Sequence, residues 1–199
     1  FRSEQIIKSH KIYIDEFGLK PIYKILDYGL EECISILYNK LTILNENKNQ
    51  VQLIEAMEVL KDTYPEIKAI CVGEGDKLLE LQSEVKNRGL EGKVNFLGFR
   101  NDINELINIC NIGVLLSYRE GLPRNLMELM ACGKKVIATN IRGCRDIVVD
   151  ETVVELVEVG DYEATAKAIE EEYLYGDNEF TVSKEIEKYD VKIINEGLR

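Results

Sequence analysis

From about residue 41 onward the chain switches between two hydrophobic periods. Short apolar runs at Leu41 to Leu44, Ile67 to Val72, Val94 to Leu97, Val114 to Leu116, Lys135 to Thr139 and Val153 to Leu156 read as buried strands that break off at glycine or polar loops. The stretches between them place apolar residues three and four apart, which predicts helices. One runs from Gln50 to Thr63 with Val51, Leu53, Ile54, Met57 and Leu60 inward, and another ends at Arg88. Asp102 is expected to cap a helix through Cys110 with Ile103, Leu106 and Ile107 inward. Asp161 is expected to cap one carrying Ala164, Ala168 and Ile169. Val182, Ile186, Tyr189 and Ile193 suggest a last helix. About six strands alternating with helices predict an α/β fold, a Rossmann-like doubly wound parallel sheet.

Residues 1–40 are less regular. Ile22, Ile25, Leu26, Leu30, Ile34 and Leu37 suggest one or more helices across Lys20 to Asn39, interrupted by Gly29. This segment is read as a linker or helical lead-in to a domain over 41–199.

The tightest stretch is Asn111 to Asp146, where strand, loop, short helix and second strand follow without slack. Pro123 suits a helix start, because its fixed φ fits and its missing N–H is one the first turn leaves unpaired. Leu126, Leu129 and Met130 make the apolar stripe, and Gly133 is the stop. In such folds ligands bind beyond the carboxyl ends of the strands, where helix N-termini offer N–H groups and partial positive charge. Glu120-Gly121-Leu122-Pro123 is therefore placed to hold a phosphate by its backbone. Two flanking carboxylates, Glu120 and Glu128, make sense if the ligand carries hydroxyls on both sides of its phosphates, as a nucleotide sugar does.

Glu120-x7-Glu128 within EGLPRNLMELMACGKKVIATN resembles the signature of retaining glycosyltransferases with the GT-B fold, which build bacterial capsule, exopolysaccharide and lipopolysaccharide. Val72-Gly73-Glu74-Gly75, Val94-Asn95-Phe96-Leu97-Gly98 and Asn140 to Asp146 extend the match over about 41–199. The resemblance implies the second, donor-binding half of a GT-B enzyme, with the N-terminal acceptor domain absent. The chain opens on Phe1 and not Met, so a piece of a longer protein or a separately encoded half is expected. Such a half should bind donor but transfer poorly.

The resemblance also assigns roles. Lys48 and Glu120 would act on the departing diphosphate and the sugar, and Glu128 would accept hydrogen bonds from the ribose hydroxyls. Gly121, Leu122, Pro123, Arg124 and Asn125 would line the phosphate site, and Phe99 or Arg100 would border the base. Gly73 belongs either to that site or to a plain strand-to-helix turn, and a dinucleotide fingerprint fails because its third glycine falls on Leu78. The arginine expected to join Lys48 falls on Ile43. Arg142 and Arg145 belong either to the donor or acceptor edge or to salt bridges within their turn. The implied activity is transfer from a nucleotide sugar, a UDP-sugar, to a saccharide or lipid-linked acceptor. The alternative is a non-catalytic nucleotide-sugar-binding or assembly module, or one half of a two-chain enzyme.

Composition narrows this further. Thirty-six acidic against 25 basic residues give a net charge of −11, which opposes a nucleic-acid partner, so phosphate recognition must be local. No Asp-x-Asp or histidine cluster suggests a metal, and no cofactor is expected beyond the nucleotide sugar itself. His10, the lone histidine, is read as incidental. No apolar run approaches the ~20 residues of a membrane span. Five cysteines without CxxC spacing read as reduced thiols. A cytoplasmic setting follows, with contact to the inner face of the membrane through the missing half.

Overall fold

The computed structural model of the chain describes residues 35–38 and 44–176, apart from 101, 104–105, 108–109 and 149–152. Ile43, His10, Cys33 and the helix expected around Val182 to Ile193 lie outside the described residues.

Six strands form one sheet: β1 (Ser35–Tyr38), β2 (Lys68–Val72), β3 (Val94–Gly98), β4 (Ile112–Leu115), β5 (Lys135–Thr139) and β6 (Val154–Val157). Their spatial order is β3-β2-β1-β4-β5-β6, and every neighbouring pair is parallel. This confirms the doubly wound Rossmann-like sheet. The first described strand is Ser35–Tyr38, so the helix expected across Lys20 to Asn39 does not hold at those four residues; of the strand expected at Leu41 to Leu44, only Leu44 lies among the described residues, and it is not in a strand. Pairing decides the matter, because β1 is bonded on one side to β2 and on the other to β4, in the centre of the sheet.

Central parallel strands are covered on both faces, and the alternation of side chains shows it. Ala69 and Cys71 point into one core with Ile112, Val114 and Ile137, while Ile70 and Val72 point into the other with Leu115, Val136 and Ala138. The first core is closed by α1 (Gln50–Leu60), α2 (Leu78–Asn87) and α5 (Tyr162–Tyr175) through Leu53, Ile54, Met57, Leu81, Val85, Ala168 and Ile169. The second is closed by α3 (Arg124–Ala131), through Leu126, Leu129 and Met130, and by the helical residues Ile103, Leu106 and Ile107. Gly113 on β4 has a specific use here. A Cβ there would stand 2.5 Å from Cδ1 of Leu129, so the missing side chain lets α3 lie directly on the strand.

Asp161 Oδ1 accepts from the Ala164 N–H at 2.8 Å, and Gly133 sits at φ 67 just past the end of α3, as expected of a cap and a stop. Asp102 precedes its helix and its carboxylate is held by the guanidinium of Arg100, with Nε to Oδ1 at 2.8 Å; residues 104–105, whose N–H groups a cap would accept from, lie outside the described residues. The pairing with Arg100 holds the Asp102 pKa below the usual carboxylate range. Arg142 to Arg145, read as a turn, instead forms a single helical turn, α4.

One buried polar side chain ties the outer layer together. Gln52 of α1 is only 1% exposed, and its amide nitrogen donates to the carbonyls of Glu158 and Asp161 and to Thr165 Oγ1 at 2.9–3.2 Å. Its amide oxygen accepts from the Gly160 N–H and from Asn49 Nδ2. Replacing Gln52 with Ala leaves several of these groups without their partner. The expected loss is about 2–3 kcal/mol, a fall in Tm of roughly 5–10 °C for a domain of this size. Calorimetry showing an unchanged melt would contradict this account of Gln52.

Candidate functional site

The strand order reverses between β1 and β4, and there the loops after neighbouring strands leave in opposite directions and open a crevice. Both sides of that crevice carry residues singled out in the sequence. After β1 the chain makes a 3-10 turn at Glu46–Lys48, then passes through Asn49 at φ 52 into α1. Asn49 is the one described non-glycine residue at positive φ, and asparagine tolerates that conformation better than most side chains. After β4 the chain runs through Leu116 to Pro123 into α3, which begins at Arg124 with Pro123 in the capping position.

Across the crevice Lys48 Nζ meets Glu120 Oε1 at 2.6 Å, and both side chains are largely covered, at 10% and 14% exposure. Ser117 Oγ donates to the same carboxylate oxygen at 2.7 Å. The two loops are also stitched by their backbones. The Tyr118 N–H donates to the Asn47 carbonyl at 2.8 Å, and Asn47 Nδ2 donates to the Arg119 carbonyl at 2.9 Å. The end of β5 joins in, because Thr139 Oγ1 donates to the Ser117 carbonyl at 2.7 Å.

Beneath the loop lies α4. A Cβ at Gly143 would overlap the Glu120 carbonyl oxygen and stand 2.8 Å from the carbonyl carbon, so only glycine lets this helical turn pack under Glu120-Gly121. Cys144, next in sequence, is buried there. Burial first, and the Glu120 carboxylate second, push its thiol up to about 12, so it is an inert packing group at neutral pH.

The remaining predicted residues spread around this pair. Gly121 and Leu122 are exposed, Pro123 is buried, Arg124 is exposed, and Asn125 and Glu128 are half-buried on the first turns of α3. Gly121 has open space where a side chain would stand, so its backbone is approachable. Phe99 is 55% exposed on the loop after β3. Arg100, beside it, is held by Asp102. Gly73 requires glycine for its φ of 137, and its N–H is engaged by the Gly98 carbonyl at 2.9 Å. The Gly73-Glu74-Gly75 turn receives Leu44: the Leu44 N–H donates to the Glu74 carbonyl at 2.8 Å, and a Cβ on Gly75 would run into Leu44 backbone. These glycines thus serve contact between chain segments. Arg142 pairs with Asp146 at 3.4 Å, while Arg145 donates to the Asn140 carbonyl and side-chain oxygen at 2.8 and 2.9 Å.

Sequence reading missed Ser117, Asn47, Thr139 and Gly143. Serine and asparagine in loops carry no periodic signal; Asn47 and Thr139 bond to groups 72 and 22 positions away, and Ser117 bonds to Glu120 only three positions on but with no pattern to mark it. Among the described residues no group of three His, Cys, Asp or Glu side chains is placed to hold a metal ion. No described helix is long and apolar enough to cross a membrane.

A parallel 3-2-1-4-5-6 sheet with loops stitched across its switch point is the Rossmann-like architecture of a GT-B C-terminal domain. A family model described as "Glycosyl transferases group 1" matches residues 40–189, and the chain belongs to that family. EpsD of Bacillus subtilis (strain 168) is 42% identical over 130 residues, 65% of this chain and 34% of that protein. Anabaena Alr3699/HepE, solved in complex with UDP and glucose, superposes with a TM-score of 0.79 at 27% identity, covering 90% of this chain and 51% of that one. The C-terminal domain of LpcC, a glycosyl transferase group 1 family protein from Francisella tularensis, gives a TM-score of 0.67 at 26% identity over 79% of this chain and 86% of that domain. The chain spans about a third of the length of the curated relatives it matches and about half of HepE.

The packing under the loop is testable without a ligand. Gly143→Ala should cost about 1–3 kcal/mol through overpacking and release the Ser117 to Leu122 loop. Amide hydrogen exchange there should quicken while β1, β4 and β5 stay protected; unchanged loop exchange would mean that α4 does not support it.

Proposed function

We propose that the chain is the donor-binding half of a retaining glycosyltransferase, which moves a sugar from a UDP-sugar to a cell-surface polysaccharide or lipid-linked acceptor. The observation that carries this reading is the Lys48–Glu120 pair bridging the crevice at the switch point, beside the N-terminus of α3 and the approachable backbone at Gly121. The likeness to HepE, a protein solved with UDP and with UDP-glucose, supports the choice of donor.

In this reading Lys48 and the N–H groups of Gly121, Leu122 and Arg124 stabilise the charge growing on the departing diphosphate, aided by the helix dipole. Glu120 faces the sugar and diphosphate, and Glu128, one turn into α3, accepts from the ribose hydroxyls. Pro123 and Asn125 shape the start of that helix. Phe99 and Arg100 border the base, and Gly73 lies further along the same edge. The acceptor hydroxyl bonds to the anomeric carbon on the face from which UDP leaves. The carbon–oxygen bond to the diphosphate breaks, and the acceptor's proton passes to a departing phosphate oxygen. Acceptor contacts belong to an N-terminal domain or a partner chain, and without them transfer is slow. The free thiols Cys71, Cys110, Cys132 and Cys144 fit a reducing, cytoplasmic setting.

Ile43, where the family's pattern has an arginine, favours a second reading: a nucleotide-sugar-binding or assembly module without transfer activity.

Titration of the chain with UDP and GDP by calorimetry separates these readings. One nucleotide should bind, and Glu128→Ala should weaken it by about 1.5–3 kcal/mol, roughly ten- to a hundredfold. If a folded sample binds neither, the donor-site reading fails. If UDP binds and adding the acceptor half restores no transfer, the non-catalytic module stands in its place.

A further inference from the structure

We propose that Ser117 is a positioning residue that shares the Glu120 carboxylate with Lys48, so that the Lys48 ammonium stays available to a nucleoside diphosphate; this rests on the donor-site reading above. Two donors converge on Glu120 Oε1: Lys48 Nζ at 2.6 Å and Ser117 Oγ at 2.7 Å. Among the described residues no hydrogen bond reaches Oε2. Both described bonds thus fall on one oxygen of the carboxylate, and the other is open to a ligand.

The anchor of this arrangement is rigid. Ser117, two residues past β4, and Thr139, the last residue of β5, are both fully buried, and the Thr139 hydroxyl donates to the Ser117 carbonyl at 2.7 Å. Ser117 therefore presents its hydroxyl from a buried part of the loop that is tied to the end of β5. An ammonium has three donors and no acceptor, so Lys48 can meet a phosphate while still touching Glu120. If the hydroxyl is absent, Oε1 has Lys48 as its only donor. The ion pair then closes on itself, and the cation is drawn away from the phosphates. With the hydroxyl in place, Glu120 keeps its position when Lys48 turns toward an incoming anion. A serine three residues before the glutamate thus sets how strongly the lysine is held, although it touches no ligand itself.

The test compares Ser117→Ala and Ser117→Thr with the unaltered chain in two measurements. The first is the affinity for UDP relative to uridine, with GDP and guanosine if the chain prefers guanine. Ser117→Ala should lower UDP affinity about tenfold and leave uridine unchanged, which also shows that the fold survives. Ser117→Thr, which keeps the hydroxyl, should restore the ratio. The second measurement needs no ligand: the Lys48 side-chain ammonium resonance should shift in Ser117→Ala and return in Ser117→Thr. An unchanged UDP-to-uridine ratio in Ser117→Ala overturns the proposal. If the unaltered chain binds no nucleotide, the donor-site reading falls and the proposed link to diphosphate falls with it. The ammonium resonance then reports separately whether Ser117 positions the ion pair, and its persistence in Ser117→Ala removes that role too.

Discussion

The fold and the site meet in one interaction, the ion pair that spans the gap between the loops after β1 and β4. Lys48 and Glu120 stand 72 positions apart in sequence, yet their charged atoms are 2.6 Å apart and largely shielded from water. Holding two charges there is costly, since desolvation removes much of what their attraction returns, and a well-packed apolar pair would hold the loops at least as firmly. The stitching of the loops is in any case done by neutral groups, through Asn47, Tyr118 and Arg119 backbone and side chain. What charge adds is an address. A lysine held at the switch point, beside a helix N-terminus, is placed where an anionic ligand of this architecture is expected to arrive.

The support beneath the pair extends through three layers. Gly113 lets α3 settle onto β4 and so fixes the direction of its N-terminus, and Gly143 lets α4 pass under the Glu120-Gly121 backbone. Gln52 joins α1 to the segment between β6 and α5, which steadies the 3-10 turn carrying Lys48 from the other side. Each device is a close approach or a saturated polar group, and none contributes charge. The site is thus built on neutral packing, with the largely covered ion pair added between the two loops.

The strands from β2 onward were legible because a parallel strand covered on both faces is a short apolar run, and Ile67 to Val72 or Lys135 to Thr139 can hardly be read otherwise. Ser35–Tyr38 was not. Leu37 continues a helical spacing from Ile34 and Leu30, and four residues carry too little pattern to choose between periods. Its identity comes from pairing with β2 and β4, which no local signal contains. The candidate site divides along the same line. Glu120, Glu128 and Lys48 are recognisable from spacing within one stretch and from resemblance. Thr139 and Asn47 gain their roles only when segments distant in sequence come together, and Ser117, three residues before Glu120, sits in a loop that carries no periodic signal. Gly143 looked like a turn glycine until the Glu120 carbonyl was found against it.

On the proposed donor-site reading a chain with net charge −11 has to hold an anion, and the geometry offers a local way to do so. Acidic residues such as Glu80, Glu91 and Glu163 lie exposed, where water and salt screen them within about 10 Å. Lys48 is covered, so its field toward the crevice is screened far less. At rest Glu120 balances that field, which keeps the lysine from being an isolated buried charge. The same carboxylate oxygen is shared with Ser117, so the balance is partial and adjustable. Positive character can therefore appear at the crevice when an anion arrives, without a basic surface and without changing the fold around it.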